Sequence, residues 1–329
     1  MKLTLNKSFV YLTLFLFSVS FTFAQTKREK AIESYDKGDY IVAIEVFEKI
    51  VKENPADAEA QSYLSLSLVK TGRLREAEIA LGKTLALDSS QVKARKALAQ
   101  IFIVRGKLVE AARQAEYVIS LDARDAEIYY VLGLANLRLG KSDAALEHAE
   151  QSLKYDDKFA RSHLLKAQVL MARKSEPTDY AGIYAKFRAA AESLDNFIQL
   201  LNDTTDLSFW RRQRESLQYF INYYDEKQKS SVDSKDDKIQ ASTPIKILTK
   251  RAASYTEQAR YAGLSGSISL LVAFAESGEI SHVFALNSLG YGLDEAAIKA
   301  AKEIKFEPEL QNGKPITVVK MITYSFTIY

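Results

Sequence analysis

The sequence predicts a mainly helical chain, a solenoid of stacked helical hairpins followed by a small α+β domain, and three observations carry that reading. Gly38, Gly72, Gly106 and Gly140 stand 34 residues apart, and Ala43, Ala77, Ala111 and Ala145 keep the same interval. A polar, mixed-charge stretch then runs from Asp225 to Ser242. Beyond it the apolar period switches from helical spacing to strict alternation, as in Ile268, Leu270, Val272 and Phe274. With 329 residues, 47% of them hydrophobic, the chain has material for more than one folded unit.

At the start of the chain Lys2 and Lys7 precede an apolar run from Phe9 to Phe23, and Thr22 and Ala24 occupy the −3 and −1 places before Gln25. This is the order of a cleaved secretory signal over residues 1–24. The alternative is an uncleaved inner-membrane anchor, for which a run of about 15 residues is short of the ~20 that span a bilayer. A periplasmic mature protein is the expectation.

Residues 25–224 form the expected repeat domain. Glycine lets the chain reverse between two helices, and the alanine five residues later lets the second helix approach the first closely. One hairpin leaves apolar surface bare, and stacking the next one covers it. The pattern resembles the tetratricopeptide repeat family, best between Ala31 and Pro55, where Gly38, Tyr40, Ala43, Phe47 and Pro55 fall at the family's spacing. Later units drift. Phe47 is replaced by Leu81, Ala115 and Ala149, and Pro55 by Ser89, Ala123 and Asp157, so those turns are expected to rest on Asp88, Asp122 and Asp156. A fifth hairpin is predicted with His163 to Arg173 as its first helix and Tyr184 to Leu201 as its second. A capping helix follows, with Asp206 as N-cap and Leu207, Trp210, Leu217, Phe220, Ile221 and Tyr224 on one face. Packing on the last hairpin is the expected role of Trp210. The resemblance implies protein or peptide binding on the concave face, where register places Lys96, Gln100, Tyr130 and Arg138; a solvated helix face is the other reading of these four.

The segment 225–242 reads as a linker, because it lacks apolar residues to offset the entropy of ordering. Residues 243–329 are expected to form a β-β-α-β unit. Its parts are a hairpin through Gly278 returning over Ile280 to Leu286, a helix with Leu293, Ala297, Ala300, Ala301 and Ile304 on one face, and a final strand in which Ile322, Tyr324 and Phe326 alternate with Thr323, Ser325 and Thr327. From about Thr249 to the end, the run Tyr255, Gly263, Gly266, Gly278, then Leu293, Asp294, Ala296, Ala297, then Phe306, Pro308, Asn312, Gly313, Lys314 and Pro315 is similar to the TonB C-terminal domain family. Thr256 departs from the proline often found there.

That resemblance implies capture of an extended segment of an outer-membrane TonB-dependent transporter by strand addition to the last strand, through Val319, Met321, Thr323, Ser325 and Thr327. Proline at Thr323 or Ser325 is expected to block the partner at one position and the domain's own sheet at the other. A homodimer through the C-terminal domain, in a scaffold for envelope assembly, is one alternative; an anchored energy transducer is another. Full TonB proteins keep a histidine-bearing membrane helix and a proline-rich spacer, whereas this apolar N-terminus has no histidine and the chain only five prolines.

Other classes are disfavoured. The 45 basic and 42 acidic residues are intermixed, which gives no basic field for nucleic acid. Cysteine is absent, and with it disulfides, thiolate metal sites and a thiol nucleophile. His148, His163 and His282 have no metal or triad spacing, and Ser265 has no nucleophile-elbow context. No enzyme, cofactor or small-molecule substrate is expected, and an interaction adaptor is.

Overall fold

The computed structural model describes residues 27–121, 124–173, 175–176, 178–201, 207–233 and 242–327. The expected signal segment, Asp122 and Asp206 lie outside them. The chain falls into two compact units, Met1–Ile101 and Phe102–Tyr329.

In the first unit helices α1 (residues 27–36), α2 (Tyr40–Glu53), α3 (Ala58–Lys70) and α4 (Leu74–Leu87) precede α5 (Val92–Val104). The repeat glycines adopt the left-handed turn that the spacing demands, with φ of 87° at Gly38 and 74° at Gly72. Ala43 and Ala77 have no exposed surface, as expected where one helix must lie close to the next. Phe47 is buried and stacks on Tyr63 with ring centres 5.2 Å apart. The Asp57 carboxylate caps α3 by accepting the Ala60 amide at 3.0 Å.

The second unit continues with α6 (Leu108–Leu121), α7 (Ala126–Arg138), α8 (Ser142–Tyr155), α9 (Ala160–Ala172), α10 (Tyr180–Leu201) and α11 (Ser208–Asp233). Asp156 closes its turn by accepting the Lys158 amide at 3.0 Å, and Asp88 does the same with Ser90 at 2.9 Å in the first unit. The fifth hairpin exists, with both helices starting slightly earlier than expected, at Ala160 and Tyr180. Leu217, Phe220 and Ile221 of α11 are buried, and Trp210 packs edge-on against Phe197 of α10 at 5.5 Å.

The expected linker needs correction. Residues 225–233 belong to α11, and 234–241 lie outside the described residues. The helix continues past its apolar stripe because Asp225 takes hydrogen bonds from Gln228 (2.9 Å) and Lys229 (2.7 Å), the spacing at which side chains on a helix meet.

The C-terminal part contains β1 (Ser242–Thr243), β2 (Lys246–Thr249), α12 (Glu257–Ala262), β3 (Gly266–Phe274), β4 (Ile280–Ala285), α13 (Leu293–Lys302), β5 (Lys305–Glu307), β6 (Glu309–Gln311), β7 (Lys314–Ile316) and β8 (Val318–Phe326). The β-β-α-β frame is β3, β4, α13 and β8, in sheet order β4-β3-β8, all antiparallel. Short strands decorate it: β2 pairs with β5, and β1 with the β6-β7 hairpin, whose tip holds Asn312 and Gly313 at φ of 54° and 74°. Thr256 supplies an N-cap in place of the missing proline, accepting the Ala259 amide at 3.2 Å.

One sheet face behaves as expected. Ile268, Leu270, Val272, Phe274, Ile322, Tyr324 and Phe326 share a core with Leu293, Ala297, Ala300, Ala301 and Ile304. The other face is half covered. Leu271, Ala273, Phe284 and Leu286 join the core of α9, α10 and α11. The reason lies in the run Leu270-Leu271-Val272-Ala273-Phe274, apolar on both faces, as in a strand buried on two sides.

Candidate partner-binding edge and helical face

Which backbone groups of β8 face outward follows from the ladder. Ser269 accepts the Leu286 amide at 2.9 Å and gives its own amide to the Asn287 side chain at 2.8 Å, so the odd residues of β3 bond toward β4. The even residues then bond toward β8, and their partners are Lys320, Ile322 and Tyr324. Val319, Met321, Thr323 and Ser325, the odd residues of β8, therefore turn N–H and C=O away from β3. No strand pairs there among the described residues. Thr327 lies one residue past the ladder.

Thr323 and Ser325 thus point the same way, which corrects the expectation that proline would separate their roles. Residues two apart in a strand share a direction. The separating pair is an odd and an even residue, such as Thr323 and Ile322.

Met321 is 65% exposed. The hydroxyls of Thr323 and Ser325 pair across the sheet with Ser269 (3.1 Å) and Ser267 (3.0 Å). A cation attends this edge: the Lys250 ammonium donates to the Thr323 carbonyl at 2.9 Å and lies 4.8 Å from the Tyr324 ring centre. Burial pushes the Tyr324 hydroxyl above the ordinary phenol range. Lysine at an edge strand is a common guard against unwanted pairing.

The opposite edge is met by α11. The Ala285 amide, on the outer side of β4, is taken at 2.7 Å by the side-chain oxygen of buried Gln213 on α11. His282 of β4 stacks on Tyr219 of α11 with ring centres 3.8 Å apart. Burial, and then Lys302, hold His282 below the usual histidine range. Gln213, His282 and Lys250 were not anticipated as partners of these edges. The two-sided apolar run in β3 was the available signal that something covers the second face, though not which residues.

The four residues expected on the concave face have different surroundings. Lys96 and Gln100 are half-buried on α5 in the first unit, where each has an interaction partner. Tyr130 packs edge-on against Phe159 at 5.7 Å, and burial raises its hydroxyl. Arg138 donates to the carbonyls of Ile103 (2.9 Å) and Ser288 (3.2 Å), fastening the repeat helices to the C-terminal sheet's neighbouring loop. The three histidines sit on α8, α9 and β4, and among the described residues no three side chains are placed to hold a metal ion. No described helix is long and apolar enough to cross a membrane.

Comparison with known proteins agrees with this architecture. Residues 251–328 match the family described as Gram-negative bacterial TonB protein C-terminal, residues 34–101 match one tetratricopeptide repeat family, and 96–153 and 130–194 match another. No curated relative matches the sequence. Among solved structures, a crystal structure of MamA protein is 21% identical, covering 54% of this chain and 92% of its own, with a TM-score of 0.45. MamA 41-end from Desulfovibrio magneticus RS-1 is 17% identical, covering 56% and 97%, with a TM-score of 0.47. The chain is thus an array of tetratricopeptide repeats followed by a TonB C-terminal domain, a combination of two modules that bind other proteins.

Proposed function

We propose that this chain is a periplasmic adaptor that captures an extended segment of an outer-membrane transporter by strand addition to β8, while the helical repeats hold a second protein. The observation that carries this reading is the row of outward backbone groups at Val319, Met321, Thr323 and Ser325, opposite a β4 edge already closed by Gln213. An incoming strand gains main-chain hydrogen bonds over a small interface, so an affinity on the order of micromolar is expected. Self-pairing of two β8 edges is the rival, and Lys250 speaks against it. Two copies meeting edge to edge would bring two ammonium groups together in a setting where each has already taken a carbonyl.

Proline substitution tests the reading. Met321→Pro and Thr323→Pro remove outward donors, a change that edge strands tolerate, and should abolish binding of a transporter-derived peptide while circular dichroism stays native. Ile322→Pro removes an inward donor and should unfold the sheet. Unchanged peptide binding by folded Met321→Pro and Thr323→Pro would refute strand addition at β8, and concentration-dependent dimerisation lost in the same variants would favour the rival.

A further inference from the structure

A cleft of about 1050 Å³ lies within the second unit, between the hairpin ends of the repeats and the half of the sheet that α10 and α11 leave bare. Its floor includes Ser267 and Ser269 of β3, and one wall is the first half of β8, from Val318 to Met321. The cleft therefore adjoins the partner-binding edge at one end only.

Its charge is one-sided. Arg105, Arg138, Arg173, Lys186 and Lys320 line it, and none of the described lining residues is a carboxylate. Acids bear on several of the five: Asp143 pairs with Arg173 at 3.0 Å and Glu309 with Lys320 at 3.7 Å, contacts of the surface kind that contribute little, while Asp294 and Asp179 act electrostatically on Arg138 and Lys186. The deeper cations are held by neutral oxygens. Lys186 donates to the Arg173 carbonyl (2.8 Å) and the Ser175 hydroxyl (3.0 Å), and Arg138 to two backbone carbonyls, with its Nε lacking any partner. Neutral acceptors do not cancel the charge, and burial lowers the affinity of both groups for their protons. An anion entering the cleft would find cations whose desolvation has already occurred.

The geometry points to an acidic flank on the captured segment: the peptide that pairs with β8 carries two or three carboxylates beyond its pairing residues, on the side that runs past Val319 into this cleft. Continuity with the edge selects a peptide over a free anion, because chain leaving β8 at Val318 has the cleft as its next surface. This inference rests on the strand-addition reading above and adds the chemistry of the partner to it.

The test uses the full chain and three fluorescein-labelled peptides sharing a Thr-Val-Thr-Val-Thr-Val core, with three aspartates before it and three serines after, the reverse, or three serines on both sides, read by anisotropy. One aspartate placement should bind about tenfold tighter than the serine peptide, a gain that shrinks with salt, and the other should match serine. Arg173→Ser with Lys320→Ser should cancel the gain without weakening the serine peptide. Arg173→Lys with Lys320→Arg should keep it. Equal gains from both placements would mean general attraction to a chain of net charge +3 and would overturn the inference, as would a gain that survives the double serine variant. Equal binding of all three peptides would overturn the cleft's role and leave strand addition standing. Binding by none would overturn both.

Discussion

At the outer side of β4 the Ala285 amide is occupied by Gln213, and His282 lies flat on Tyr219; at the outer side of β8, four residues present backbone groups to no strand, with Lys250 on one carbonyl. The two edges belong to one three-stranded sheet and began with the same unpaired ladder. What separates them is the identity of the residues on the face behind. Next to β4 that face is Leu271, Ala273, Phe284 and Leu286, apolar enough to draw α10 and α11 over the edge. Next to the far end of β8 it is Ser267, Ser269, Thr323 and Ser325, whose hydroxyls satisfy one another and draw nothing over. Edge availability is thus decided by side chains one layer away from the ladder itself.

The strongest way to break this contrast is to weaken the covered side. Phe284→Ala removes a buried ring between sheet and helices and should cost about 3–5 kcal/mol, read as a lower denaturation midpoint of the full chain. Gln213→Ala is narrower: it leaves the Ala285 amide buried without an acceptor, at about 1–3 kcal/mol, and should speed hydrogen exchange at that amide above all others in β4. If both variants leave stability untouched, α11 does not close this edge in solution.

Acid should act on the same contact. His282 is held below its ordinary value by burial and by Lys302, so the folded state favours the neutral ring. Its contribution is fully present above roughly pH 6.5, the value of an unperturbed histidine, and is lost as pH falls through the depressed folded value. His282→Phe keeps a flat ring against Tyr219 and should flatten the part of the stability-pH slope below that point. An unchanged slope would assign the loss to other groups, His148 among them.

The smallest expected effect lies at the open edge. Lys250→Ala frees the Thr323 carbonyl and should raise affinity for an extended peptide a few-fold, with a parallel rise in weak self-association, measured by sedimentation velocity. A drop in peptide affinity would show that the lysine joins the bound strand instead of guarding the vacant edge.

Most of the architecture could be read from the chain. A 34-residue period with paired glycine and alanine required left-handed turns and close helix contacts, and the φ values and full burial at those positions follow from it. The side-chain alternation in β8 is equally legible, but the outward direction of its odd backbone groups follows only from the ladder with β3. Contacts that join a side chain to a distant backbone were not legible. Gln213 sits 72 residues before the amide it accepts, and nothing in its local pattern marks it. The tail of α11 was misread because polar composition argues for disorder only when no local partners exist, and Asp225 has Gln228 and Lys229 within one turn. Register puts Arg138 among the concave-face candidates, but its two carbonyl acceptors depend on where the C-terminal sheet lies.

Because Gln213 blocks one end of the sheet, growth by strand pairing can proceed in a single direction. This sheet resembles a polymer unit with one end capped: a strand added at β8 would have no counterpart at β4. Two such chains meeting through their open ends would form a closed pair, never a fibre. The same glutamine that docks the sheet onto its helices would thus also stop, at this sheet, an assembly begun at the β8 ladder.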